Sequence, residues 1–219
     1  MVKKVLFLMT MSLGMMFPSM AQNIPSYVPT NGFVGWWPFN GNADDESGNG
    51  NNGTNNGATL TTDRFGNADA AYDFDGQDDY ISVTNNPDFE IPNYLTFGCW
   101  VNPAGNNSGS IIVNKQLNMI CSYGIEIHQN NKYALRLSIN GNNNITVESN
   151  STVVNNTWTY VICQYDGSEL RIYINGVLEN TTSATGNIDL SSDILMISGD
   201  FDGTSFNQGF SGNIKNVEL

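Results

Sequence analysis

Few residues in this chain have the type and spacing to do chemistry. Hydrolysis of a glycosidic bond needs two carboxyl groups roughly 5 to 10 Å apart, one as acid and one as nucleophile or base. Asp44-Asp45-Glu46 lies in a Gly/Asn-rich loop, Asp88-Phe89-Glu90 has prolines around it, and Glu126 alternates only with His128. For Glu126 and His128 the plainer reading is an exposed sheet face, with Arg136 and Arg171 as cross-strand partners. A Ser/His/Asp relay would have to use His128, the one histidine, and the chain has no G-x-S-x-G turn to present a serine. Cys99, Cys121 and Cys163 form no C-x-x-C pair, which with one histidine argues against zinc. They allow one bridge and a leftover thiol, with the pairing open.

Two binding chemistries are better supplied. Asp44, Asp45, Glu46, Ser47, Asn49 and Asn51 gather hard oxygen donors among glycines, the ligand type calcium takes, although a solvated turn-rich loop has the same composition. Aromatic rings stack on the apolar faces of sugars. Trp36 neighbours Trp37, so on a strand the two point to opposite faces, and Trp36 is the freer of them. With Tyr123 and His128 it forms the candidate ligand-binding set. The amides of Asn142 to Asn144 suit hydroxyl groups, but asparagine is also a turn residue.

The elements that must position these residues are strands. Ile125 and Ile127, then Tyr133, Leu135, Leu137 and Ile139, repeat with period 2, as a half-buried strand requires. Asn140-Gly141, Asp166-Gly167 and Asn175-Gly176 separate β-rich runs, and such dipeptides favour tight hairpins because type I′ turns need positive φ at both central residues. Residues 123–179 therefore read as an antiparallel meander. Further strands are expected at 70–75, 79–83, 94–101, 110–115, 194–198 and 209–217. With no helical pattern of ten residues, the expectation is all-β: a two-sheet antiparallel jellyroll sandwich. The stretch 41–58 reads as a long ordered loop within it and not as a domain boundary.

Composition narrows the class. Of 219 residues, 33 are Asn and 22 are Gly, which suits many turns and disfavours long helices. Eight Lys+Arg against 21 Asp+Glu gives −13, against nucleic acid or an anionic membrane as partner. Lys3-Lys4, the apolar run from Val5 to Phe17 and Ser19-Met20-Ala21 read as a signal peptide over 1–21, too short to span a bilayer. The mature protein is then secreted or at the cell surface without membrane insertion, with a leader over 22–31 and one domain over 32–219.

Ordered motifs along the chain resemble a family. Trp37-Pro38-Phe39-Asn40-Gly41, Phe74-Asp75-Gly76-x-x-Asp79-Tyr80-Ile81, Leu95-Thr96-Phe97-x-x-Trp100-Val101, Trp158-x-x-Val161-x-x-x-Tyr165-Asp166-Gly167 and Leu170-x-Ile172-Tyr173-Ile174-Asn175-Gly176 are similar, in order, to the laminin-G-like jellyroll domains of the concanavalin A-like lectin/glucanase superfamily. The resemblance implies structural roles for Trp37, Trp100 and Trp158. It also implies a structural Ca²⁺ at the N-terminal loop, with Asn40 and Asp45 at family positions and Ser47 and Asn49 nearby. Where the family carries acidic residues after the isoleucine of its closing motif, this chain has Lys215 and Asn216, which weakens that inference. Pentraxins share the jellyroll and link two corresponding strands, which implies a Cys99 to Cys163 disulfide. The E-x-D-x-x-E strand of the superfamily's glucanases is absent.

The resulting expectation is a non-catalytic recognition module for a glycan or a cell-surface protein, in adhesion or polysaccharide use. The alternative is a piece of a secreted glycoside hydrolase whose catalytic domain lies elsewhere.

Overall fold

The computed structural model describes residues 31–117, 120–201 and 205–219, so the expected signal peptide and all of the leader except Asn31 lie outside the described residues. In chain order the strands begin with β1 (Trp36–Trp37), β2 (Gly53–Asn56), β3 (Thr59–Thr61), β4 (Ala71–Asp75), β5 (Tyr80–Val83), β6 (Leu95–Pro103), β7 (Ile111–Leu117) and β8 (Ile120–Ile127). They continue with β9 (Lys132–Ile139), β10 (Asn142–Thr152), β11 (Thr159–Tyr165), β12 (Glu169–Ile174), β13 (Val177–Ser183), β14 (Leu195–Ile197), β15 (Asp200–Phe201), β16 (Phe206–Asn207) and β17 (Ser211–Glu218).

Antiparallel pairing arranges the strands as two large sheets and a two-stranded ribbon of β15 and β16. One large sheet runs β13-β12-β11-β6-β17-β4-β3, with β1 added beside β17, and the other runs β10-β9-β8-β7-β14-β5-β2. The expected jellyroll sandwich is therefore the fold. Period-2 alternation builds its core: Ile125, Ile127, Leu135 and Leu137 of one sheet and Val161, Tyr165, Leu170 and Ile172 of the other belong to one buried cluster. Burial of this apolar surface, worth about 25 cal/mol per Å², holds the layers together.

The turn chemistry is as the dipeptides demand. Asn140 and Gly141 have φ of 52° and 80°, and Asn175 and Gly176 repeat the pair at 52° and 80°. Both are the two-residue geometry that matches strand twist. Asp166-Gly167 turns differently, because only Gly167 is left-handed while the Asp166 carboxylate accepts the N–H groups of Ser168 and Glu169. Residues 123–179 are not one meander, however. β8 to β10 lie in the seven-stranded sheet and β11 to β13 in the other, so the chain crosses between layers after β10. The 41–58 stretch is ordered, and its end forms β2, which pairs with β5.

The cysteines correct the disulfide expectation. Cys99 lies opposite Val161 and Cys163 opposite Phe97, a diagonal relation two residues out of register. Such a diagonal spans about 7 to 8 Å, past the Cα separation a bridge tolerates. All three cysteines are free and buried, and burial pushes the Cys121 thiol up to about 12 and those of Cys99 and Cys163 well above their usual range. A thiol reagent should therefore label no cysteine in the native protein and three in urea. Recovery of only one thiol in urea would restore the bridge.

Candidate functional site

Side chains that alternate with the core residues of β8, β9 and β10 point away from the core, and there they build a polar site. Register sets its geometry: Ala134 of β9 is paired with Glu126 of β8 on one side and Glu148 of β10 on the other. The small alanine between two glutamates leaves room for a bridging side chain. His128, one residue beyond β8, fills it, with Nε2 2.5 Å from Glu126 Oε1 and Nδ1 2.5 Å from Glu148 Oε1. Arg136, two residues along β9, donates through Nε and Nη2 to the two oxygens of Glu126. Asn130 Nδ2 donates to Glu148 Oε2 at 2.7 Å.

The electrostatics follow from this arrangement. Burial opposes the charge on Glu126, yet the bonds from His128 and Arg136 outweigh it and hold that carboxyl below its usual range. Glu148 is lowered by its bonds from His128 and Asn130. The bond to Glu126 raises the His128 pKa against the effect of burial, and Glu148 adds to the rise. A doubly protonated imidazole donates to both carboxylates at once, and the raised His128 pKa favours that form. Both glutamates are shifted down, opposite to the raised pKa of the acid that glycoside hydrolysis requires.

These groups open onto a cleft of about 440 Å³, whose rim also includes Gln129, Asn144 and Gln208. Gln208 Nε2 donates to Gly109 O at 3.1 Å, and Gln129 Oε1 accepts from the Ser108 hydroxyl, so these amides are oriented before any ligand arrives. Farther along the same face, buried Asp200 accepts from Gln116 Nε2 at 2.5 Å. The cleft offers amides, carboxylates and one cationic pair on a rigid floor, a surface suited to hydroxyl groups.

The sequence-based ligand set is only partly brought together. His128 is at the centre of the cleft. Trp36 is buried, because the 41–58 stretch returns across it: Glu46 N–H donates to Trp36 O at 2.8 Å and Trp36 N–H to Asp45 Oδ1 at 2.9 Å. Tyr123 is a core residue whose hydroxyl donates to Phe89 O at 3.2 Å. Its alternation with Ile125 and Ile127 was the signal that it faces inward. Arg136 is the partner of Glu126 foreseen from the sequence, whereas Arg171 pairs with Asp166 and Glu169. Glu148 and Asn130 were missed, since only the register of β10 on β9 reveals them.

The residues expected to hold calcium do not fit the ion as a set. The Asp45 carboxylate accepts from Trp36 N, Ser47 N, Ser47 Oγ and Asn51 N, four donors for the four lone-pair sites a carboxylate offers. Asn49 turns its amide N–H groups to Phe33 O and Val34 O, and Asn40 Oδ1 accepts from Lys215 Nζ at 3.0 Å.

Comparison with known proteins places this fold. The profile of the Laminin_G_3 family, of the concanavalin A-like lectin/glucanases superfamily, matches residues 75–219. No curated protein gives a significant sequence match. Domain 4 of AbnA, a GH43 extracellular arabinanase from Geobacillus stearothermophilus solved with arabinotriose, superposes with TM-score 0.66 at 14% identity, over 85% of this chain and 90% of that one. A structure of botulinum neurotoxin type C, whose cell entry depends on interaction with two ganglioside molecules, gives TM-score 0.66 at 16% identity, over 86% of this chain and 47% of that one. The CBM40 of a Ruminococcus gnavus sialidase, solved with α2,3-sialyllactose, gives 0.56 at 15% identity, over 68% and 88%.

Proposed function

Because the chain belongs to the concanavalin A-like lectin/glucanase superfamily, we propose that it is a secreted, non-catalytic glycan-binding module that holds a neutral sugar in the cleft around His128. The observation that carries this reading is the prebuilt hydrogen-bonding floor, Glu126, His128, Glu148 and Arg136, rimmed by Asn130, Asn144, Gln129 and Gln208. A structural neighbour solved with the neutral sugar arabinotriose supports it, and one solved with sialyllactose supports glycan binding more generally. The net charge of −13 disfavours anionic glycans, since the one arginine in the cleft is already paired with Glu126.

Among the described residues lining the cleft there is no Trp, Tyr or Phe, so stacking contributes little and hydrogen bonds of about 1 kcal/mol net must do the binding. A handful of them gives a Kd near 1 mM, where the free energy is about −4.1 kcal/mol. Neutral polysaccharide in a native gel should retard the wild type, and Asn130→Ala or Asn144→Ala should each weaken that retardation about five- to tenfold. Retardation unaffected by either substitution would move the ligand elsewhere, and no retardation by any glycan would favour a cell-surface protein as partner.

A further inference from the structure

A second group of oxygens, beside β17 of the eight-stranded sheet, surrounds a cation that the chain itself supplies. Lys215 lies on β17 and its side chain is 7% exposed. Its ammonium nitrogen is 2.5 Å from Ala70 O, 3.0 Å from Asn40 Oδ1, 3.5 Å from Pro38 O and 3.5 Å from Asp63 Oδ2. Two segments far from β17 in sequence, residues 38–40 and 63–70, thus converge on one positive charge.

The oxygens are held in place independently of the lysine. Asp63 Oδ1 accepts the N–H groups of Phe65 and Asn67, which leaves Oδ2 to face the ammonium and the Asn67 amide. Phe39 and Asp69, next to the carbonyl donors Pro38 and Ala70, have φ of 60° and 53°. Left-handed backbone is uncommon for such residues and persists where surrounding structure over-determines it. Gly41 N–H donates to Asp69 O at 2.7 Å and ties the two segments together.

Two backbone carbonyls, a side-chain amide oxygen and a carboxylate are the donors that calcium takes, and an ammonium ion meets such a set only with hydrogen bonds. Lys115, the other buried lysine among the described residues, differs, since its ammonium bonds two oxygens, Asn85 Oδ1 at 2.6 Å and Asp193 O at 2.7 Å, and lies over the Phe89 ring. The charge count also fits a monovalent guest, because Asp63 is the one carboxylate in contact and a single ammonium balances it.

We propose that the Lys215 ammonium is an internal substitute for a structural Ca²⁺, so that this domain closes its N-terminal segment onto its last strand without metal, and that the same cage takes up Ca²⁺ once the lysine is replaced by a carboxylate. Asp63 with an aspartate at 215 would balance the divalent ion, and the shorter side chain would leave it room.

The test compares wild type, Lys215→Asp and Lys215→Met by urea unfolding, in EDTA and in millimolar Ca²⁺, with Tb³⁺ luminescence as a direct readout of ion binding. In the wild type the midpoint is expected to be the same in both media. Lys215→Asp should be destabilised in EDTA and regain its midpoint in Ca²⁺, with one Tb³⁺ bound beyond wild type. Lys215→Met should be destabilised in both media and bind no additional ion. Equal responses of wild type and Lys215→Asp to Ca²⁺ would overturn the proposal, as would a Lys215→Met protein as stable as wild type. Should Lys215→Asp be unfolded in EDTA, refolding on Ca²⁺ addition supports the cage, and failure to refold refutes it.

Discussion

Asp45→Ala is expected to lower the unfolding free energy by about 3 kcal/mol, chiefly by orphaning two buried N–H groups that each cost about 1 to 3 kcal/mol when unpaired. Those groups are Trp36 N–H and Asn51 N–H, both of which end on the Asp45 carboxylate at 2.9 Å. The other two donors, Ser47 N–H and Ser47 Oγ, are closer to solvent and can turn to water. One carboxylate therefore fastens the returning loop over Trp36 and fixes Asn51, whose carbonyl accepts the indole N–H of core residue Trp37 at 2.8 Å. For a chain of this size 1 kcal/mol is about 2 to 4 °C, so thermal unfolding should begin roughly 10 °C lower. Asp45→Asn keeps two acceptor sites and should lose about half as much. A loss under 1 kcal/mol for the alanine variant would mean that the loop is held by other contacts.

The same loop shows where sequence reading reached and where it stopped. Oxygen donors spaced among glycines around Asp45 marked a place where the chain gathers charge, but metal ligation and backbone capping use the same residue types. What decides between them is whether N–H groups converge on the carboxylate, and that depends on the chain returning from Glu46 across Trp36. Trp36 was read as free because alternation assigns two adjacent residues to opposite faces. β1 is only two residues long, and both of its faces are covered, one by the core and one by this loop. Asn140-Gly141 and Asn175-Gly176, by contrast, were legible because positive φ is a local demand. Sheet membership is not local, and nothing near Asn155 or Asn156 announces that the chain changes layers there. In the cleft, Glu126 and His128 were visible as a period-2 pair and Arg136 as a cross-strand partner. Glu148 entered only through the pairing of β10 with β9, which carries register shifts between Asn142 and Ile145 and between Glu148 and Thr152. Lys215 stood out as a departure from the family pattern, but its role required the positions of Pro38, Asn40, Asp63 and Ala70.

Glu126→Ala should be the most damaging change in the cleft, costing about 3 to 5 kcal/mol, the range for breaking a buried ion pair from one side. The Glu126 side chain is 7% exposed and pairs with both Arg136 and His128, so its loss strands Arg136 and leaves His128 with Glu148 alone. The pH dependence carries a sharper signature. His128 is raised above its unfolded value of about 6.5, so its contribution is complete below that pH and disappears as pH rises through the folded pKa. Glu126 and Glu148 are lowered, so theirs is complete above about 4.3 and disappears as pH falls through their folded values. Together they stabilise the fold most in the window between about pH 4.5 and 6.5. With one histidine in the chain, its NMR titration is unambiguous. Wild-type His128 should titrate above 6.5, and Glu126→Gln, which keeps the shape and removes the charge, should move it down while flattening the stability profile across that window. The same His128 pKa in wild type and Glu126→Gln would show that the bridge does not form in solution, and the cleft would then lose the fixed floor on which glycan binding depends.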